Sequence, residues 1–171
     1  MKHLKHMLIL VLMVVMLTSV LAIPAAALSP TWNDYFYNNF PEQRVGYYHY
    51  GYTSAIQRFL YVNPTTQSDI TSSGGIDGMF GNGTKNAVTT FQEECADEPG
   101  CPTIPTSEIG KVGKNTWKAI AFMMYEVYPT GYEDWYQCVG NKRVIKADYS
   151  TKQLKYYISD STVGGLITSF G

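Results

Sequence analysis

The residues whose types and spacing bear most directly on chemistry lie between Gly75 and Gln92, in "GIDGMFGNGTKNAVTTFQ". Gly78 and Gly83 are spaced like the two glycines of a phosphate-binding loop, and a lysine and a hydroxyl residue follow them. That loop needs lysine first, to reach the phosphates, and then Ser or Thr to hold magnesium. Here Thr84 precedes Lys85, the reverse order. The stretch reads instead as a turn leading into a helix. Gly78, Gly81 and Gly83 permit backbone angles closed to other residues. Asp77 accepts N–H groups within the turn, Phe80 plugs the core, and the Thr84 hydroxyl caps a helix that starts there.

Other chemistries find few candidates. After residue 27 there is one histidine, His49, in "YYHYGY", and three cysteines, none in the C-x-x-C spacing of a structural zinc site, so no metal is expected. Cys138 and His49 are the residues available for a thiol–imidazole pair, and neither sits in a catalytic signature. A glycosidase needs two carboxylates, but context singles out no pair: Glu93 and Glu94 fall on the solvent face of a helix, and Asp77 is explained by the turn. No catalytic residue and no cofactor is expected. Cys95 and Cys101 flank the turn-forming "ADEPG" and are predicted to be disulfide-bonded. Cys138 is then a buried free thiol or an intermolecular link.

The N-terminus bears on compartment. Lys2, His3, Lys5 and His6 form a basic region, Met7 to Leu21 is apolar apart from Thr18 and Ser19, and "AIPAAALSP" carries Ala25 and Ala27 in small-x-small spacing. Residues 1–27 are read as a secretory signal peptide, or as a membrane anchor if uncleaved. Export permits disulfides. Loss of Lys2 and Lys5 leaves eleven basic against fourteen acidic residues, moving the formal charge from −1 to −3. A mildly acidic exported chain suits neither nucleic acid, which needs a basic face, nor a nucleotide. A secreted or extracellular protein is expected.

These residues must be positioned by a small set of elements. Residues 28–52 hold Trp32, Tyr35, Phe36, Tyr37, Phe40, Tyr47, Tyr48, Tyr50 and Tyr52 without a period, an irregular segment that packs on a core or presents rings. A first helix is predicted near Ser54, with Ser54 and Gln57 as a capping box and Ile56, Phe59 and Leu60 as its apolar stripe; Pro64 ends it. A polar loop, "TTQSDITSSGG", follows. The second helix starts at Thr84 and buries Ala87, Val88, Phe91 and Cys95. After a Pro- and Gly-rich loop, a third starts at Asn115 or Thr116, with Trp117, Ile120, Ala121, Met124 and Tyr128 at helical spacing, and stops at Pro129. Beyond Gly131 the β-branched and aromatic segments read as strands, "STK" at 150–152 turns a hairpin, and the tail from Ser159 reads as loose.

Four segments, in order, resemble the peptidoglycan-binding domain found beside bacterial wall hydrolases. "AIQRFL" (55–60) is similar to its Leu-Gln-x-x-Leu helix, and "IDGMFGNGT" (76–84) to its Asp-Gly-x-Phe-Gly-x-x-Thr loop. "AVTTFQ" (87–92) is similar to its Ala-Val-x-x-Phe-Gln helix, and "GKVGKNTWKAI" (110–120) to its closing Gly-x-x-Gly-x-x-Thr-Trp segment. The resemblance covers about residues 53–122; the loop before Asp77 and the segment 93–109 are longer than the family's. It implies a mainly α fold: a three-helix bundle with long loops over 53–129, flanked by the aromatic segment 28–52 and a β-rich extension, hairpin or meander, over 130–171. It also implies a non-catalytic protein that binds peptidoglycan, through the glycan strand or the stem peptide, with Asp77, Phe80, Asn82, Lys85 and Trp117 as contacts. Two other readings are an interaction protein that holds a partner such as a wall hydrolase, and an unrecognised muramidase-type hydrolase.

Overall fold

The computed structural model describes residues 39–127, 134–148 and 151–169. Residues 1–27, read as a signal peptide from the sequence, and Trp32, Tyr35, Phe36, Tyr37 and Tyr128 lie outside them. The described residues all fall within one compact unit, Tyr35–Gly171.

The first helix, α1 (Tyr50–Val62), begins four residues before Ser54. Ser54 is therefore no cap: its hydroxyl donates to the Tyr50 carbonyl one turn back, at 2.9 Å. The helix ends at Asn63, extended as a residue before proline must be. A short helix, α2 (Gln67–Ser72), occupies what reads as a polar loop. A single anchor explains it, since Ile70 is fully buried. The Thr66 hydroxyl ties its start to the Leu60 carbonyl at 2.6 Å. The next helix, α3 (Asn82–Asp97), buries Ala87, Val88, Phe91 and Cys95, as the periodicity predicts. Phe91 meets Phe59 of α1 edge to face, with centroids 5.0 Å apart, a geometry that adds about 0.5–1.5 kcal/mol beyond the area buried. At its end Cys95 is disulfide-bonded to Cys101, with Cα atoms 5.6 Å apart, and Cys138 is a buried free thiol. A disulfide is compatible with an extracellular location.

The last helix, α4 (Lys114–Phe122), stops well before Pro129. The apolar period does run on to Met124, but Tyr125–Val127 is strand β1, paired with β2 (Asp134–Val139). Cross-strand pairing, with Tyr and Val at positions that favour it, overrides the helical period there. β3 (Lys142–Asp148), β4 (Gln153–Tyr157) and β5 (Val163–Ser169) complete an antiparallel meander in chain order. Of the expected "STK" turn, Ser150 lies outside the described residues; Thr151 donates its N–H to Asp148 at 3.0 Å. The tail is not loose: β5 pairs along β4, and the Tyr156 ring lies across Gly164 and Gly165, where any Cβ would meet it. Glycine in that strand makes room for an aromatic neighbour.

The architecture is thus mixed α and β rather than mainly α, with helices and a five-stranded sheet among the described residues. Nor is residue 130 a boundary in packing terms, because α1 lies against β3, β4 and β5. Gly51 is pressed so close to β5 that a Cβ would collide with the Leu166 carbonyl oxygen. Arg58, buried in α1, donates Nε to the Arg143 carbonyl at 3.0 Å and Nη2 to Asp160 at 2.6 Å. Asp160 also takes the Lys142 ammonium at 2.7 Å. Among the described residues, no helix is long and apolar enough to cross a membrane.

The Lys142 hydrogen bond, with Arg58 beside it, holds the Asp160 carboxyl below its ordinary value of 3.8. A carboxyl lowered in the folded state stabilises the fold above the ordinary carboxylate range, and that contribution is lost as pH falls through and below it. Melting temperatures measured from about pH 6 to about pH 3, across the carboxylate range, should fall more steeply for the native chain than for Asp160→Asn. Identical slopes would contradict this role of the ion pair.

Candidate functional site

Gln57, placed in a capping box by its spacing, does something else. It is buried, and its side-chain amide reaches across to the loop that precedes α3. Its Oε1 accepts the Gly78 N–H at 2.8 Å. Its Nε2 lies 2.7 Å from Asp77 Oδ1, 3.1 Å from the Met79 carbonyl and 3.1 Å from Thr84 Oγ1. Asp77 Oδ1 also accepts the Met79 N–H at 2.9 Å, the turn bond expected of it. Gly78 has φ +73, a left-handed conformation, and the Tyr50 ring lies where its Cβ would stand.

The other two glycines act differently from expectation. Gly81 is extended (φ −89, ψ −172) and forms the N-cap of α3. Gly83 is the second residue of α3, and the Ser73 side chain fills the place a Cβ would take. Thr84 is inside the helix rather than capping it. Its hydroxyl donates to the Met79 carbonyl at 3.4 Å and receives the Gln57 amide.

The same construction recurs one helix later. Gln92 of α3 accepts the Gly110 N–H at 2.8 Å and donates towards the Lys111 carbonyl at 2.8 Å, the Glu108 carbonyl at 2.9 Å and Thr116 Oγ1 at 2.9 Å. Gly110 has φ +71, as Gly78 has +73. Gly113 caps α4 with φ −93 and ψ −168, nearly the angles of Gly81. Phe80 and Val112 are equivalent plugs, 1% and 0% exposed. The two halves share Gly-x-x-Gly-x-x-Thr-x-x-Ala, from Gly78 to Ala87 and from Gly110 to Ala119.

A third buried glutamine sets the N-terminal segment in place. Gln43 forms an antiparallel bridge with Val112. Its side-chain Oε1 accepts the His49 N–H at 2.6 Å and the Thr53 hydroxyl at 3.0 Å. Between them a tight turn, closed by Arg44 and Tyr47, projects Val45 and Gly46. This turn and the 77–84 loop face each other across a groove of about 420 Å³. Val45, Gly46 and Tyr48 form one side; Ser73, Asp77 and the run from Met79 to Thr84 form the other.

Of the residues singled out from the sequence, Asp77, Phe80 and Asn82 line this groove. The Phe80 residue is almost wholly buried, so its ring offers no face to a ligand. Lys85 and Trp117 are not among the lining residues. Lys85 packs its methylenes beside Gly110. Trp117 is a core residue, 3% exposed, set edge to face against Phe40 at 4.9 Å, with Nε1 towards the Pro41 carbonyl at 3.5 Å. A bulky apolar ring inside a helix bundle gains more from burial than from solvent contact, which removes Trp117 as a contact. Val45, Tyr48, Met79 and Gln43 are not singled out by the sequence reading, which gives Gln57 a capping role and Gln92 only a motif position. Comparing the two Gly-x-x-Gly-x-x-Thr segments with each other, and then looking upstream for a shared glutamine, exposes Gln57 and Gln92.

His49 is exposed, its ring near Tyr47 and Tyr52, while Cys138 is buried in β2 opposite Arg143. Burial pushes the Cys138 thiol up, with Arg143 opposing, the reverse of what an activated nucleophile requires. Among the described residues no cluster of His, Cys, Asp and Glu is placed to hold a metal ion. No protein-family model, curated protein or solved structure matches the chain.

The loop analysis separates two glycines that look alike in sequence. Gly78→Ala puts a methyl group on a left-handed residue and into the Tyr50 ring, and should cost at least about 2 kcal/mol. Gly81→Ala enters open space at ordinary angles and should cost only about 0.5–1 kcal/mol, the difference between glycine and alanine as an N-cap. Chemical denaturation of both variants checks this; equal losses would mean the loop is built differently.

Proposed function

We propose that the protein is exported and binds peptidoglycan through the groove between the 44–47 turn and the 77–84 loop, without acting on it chemically. One observation carries the reading. The groove combines exposed apolar and aromatic surface, Val45, Tyr48 and Met79, with the polar side chains of Asn82 and Asp77. Chief among these is the Asn82 side chain, which is exposed and makes no hydrogen bond with the described residues. Ligand grooves combine apolar walls with a few placed polar groups in this way. Tyr48 supplies an amphipathic ring for the apolar face of a sugar or a peptide side chain; Asn82 and Asp77 supply donors and acceptors.

Three further features agree with it. Four ordered segments resemble the peptidoglycan-binding domain, and the groove loop is one of them. The basic, apolar and small-residue succession at the N-terminus fits export. The Cys95–Cys101 disulfide suits an oxidising compartment. A membrane enters only if the N-terminal segment stays attached. The acidic balance of residues 28–171 argues against nucleic acid.

Co-sedimentation with purified peptidoglycan tests the proposal. The protein should pellet with the wall material and release no soluble fragments. Tyr48→Ala with Asn82→Ala should weaken binding about tenfold or more, the loss expected from removing about 1.4 kcal/mol of contact, while Lys85→Ala should bind like the native chain. Failure to pellet would overturn the proposal and favour a protein partner. Falling turbidity of the wall suspension would overturn its non-catalytic half.

A further inference from the structure

The two halves built on Gln57 and Gln92 share their loop construction, yet differ in one charged group. In the second half a main-chain carbonyl, that of Glu108, accepts Gln92 Nε2 at 2.9 Å and the Lys111 N–H at 2.9 Å. In the first half the two corresponding donors, Gln57 Nε2 and the Met79 N–H, go to Asp77 Oδ1 at 2.7 and 2.9 Å. A carboxylate oxygen does there what a peptide oxygen does in the second half. The residue at the place of Asp77 in the second half is Ile109. The loop therefore needs an acceptor at this point and does not need a charge.

That charge is left over. Asp77 Oδ2 makes no hydrogen bond or ion pair with the described residues. The carboxylate is half-buried and held in position by the two bonds to Oδ1. It lines the groove, and among the described lining residues it alone is charged. Cations close by in sequence are engaged elsewhere: Arg44 pairs with Glu42 at 2.9 Å and lies over the Tyr47 ring, and Lys85 packs beside Gly110. Across the groove stands Tyr48, and Met79 and the Asn82 amide are exposed on the same side as Asp77. A fixed carboxylate takes charged N–H donors in short, strong hydrogen bonds. An aromatic ring facing it suits both a cation and the methylenes that carry one.

We propose that the groove recognises a primary ammonium group on an aliphatic chain, with Asp77 Oδ2 as its acceptor. The Tyr48 ring and the Met79 side chain cover the methylenes, and the Asn82 amide bonds the peptide backbone beside them. This rests on the peptidoglycan reading of the groove. In that polymer the group of this chemistry is the side-chain amine of the diamino acid in the stem peptide. The amine is free in uncross-linked strands and becomes an amide when a cross-link forms on it, so the protein prefers wall that is not cross-linked.

The test is calorimetric titration of the protein with three probes: a synthetic stem peptide with lysine as its diamino acid and an acetylated N-terminus, the same peptide acetylated on the lysine Nε, and a peptide-free glycan oligomer. The free amine should bind, and the acetylated one should bind about tenfold more weakly or less, the loss expected for charge-assisted hydrogen bonds. Asp77→Asn keeps Oδ1 and its two bonds. It should melt like the native chain and bind both peptides alike, at the weaker level. Equal binding of the two peptides by the native chain overturns the proposal, whether or not the variant folds. So does a preference for the free amine that survives Asp77→Asn. Glycan binding without peptide binding overturns it while leaving the wall-binding role intact. Failure of all three probes together with failed co-sedimentation removes that role as well.

Discussion

Three side-chain amides buried in the helical half of the protein hold its irregular segments in place. A primary amide offers two donors and a carbonyl oxygen with two lone pairs, enough to replace a short piece of β-ladder where a loop cannot form one. Gln57 and Gln92 each take one glycine N–H and give to the carbonyl that follows it, so each loop is bonded from inside the core. Burying an amide without partners costs several kcal/mol on any scale. Here every such group is matched, and what remains is specificity of position: the loops have one low-energy arrangement. Gln43 extends the device to the N-terminal segment by fixing both ends of its turn.

The groove follows from these constraints. Its floor is the loop held by Gln57, and its opposite wall is the turn held by Gln43. The sheet contributes at one remove: it packs on the far side of α1, where Arg58 reaches Arg143 and Asp160, and so fixes the helix that carries Gln57. The disulfide restrains the long segment between α3 and α4. That segment brings Glu108 and Gly110 to Gln92. Binding groups carried on loops held by such a scaffold are a common arrangement.

Much of the helical half was legible in the sequence. The stripe Ala87, Val88, Phe91 and Cys95 and the Cys95–Cys101 bond follow from local rules. The errors have physical causes. Ser54 and Gln57 match a capping box in type and spacing, but the helix starts at Tyr50 because Gly51 lets it approach β5. The run to Met124 keeps a helical period, yet Tyr125–Val127 finds strand partners nine to thirteen residues away. The tail from Ser159 looks like a flexible linker by composition, although its glycines fit beneath Tyr156. Each of these depends on a distant partner, which local pattern does not carry. Along the groove, Asp77 and Asn82 belong to the motif, whereas Tyr48 was one tyrosine among many, and Trp117, drawn in by its motif position alone, lies in the core.

The central claim is that the glutamine amides hold the loops as part of the global fold, not as surface turns. Native-state hydrogen exchange at Gly78 and Gly110 tests it most directly, since each N–H donates to a glutamine side chain at 2.8 Å. The account predicts that both amides exchange only through global unfolding, with the same free energy and denaturant dependence as the core amides of α3. Exchange of either through small local openings, with little denaturant dependence, would contradict it.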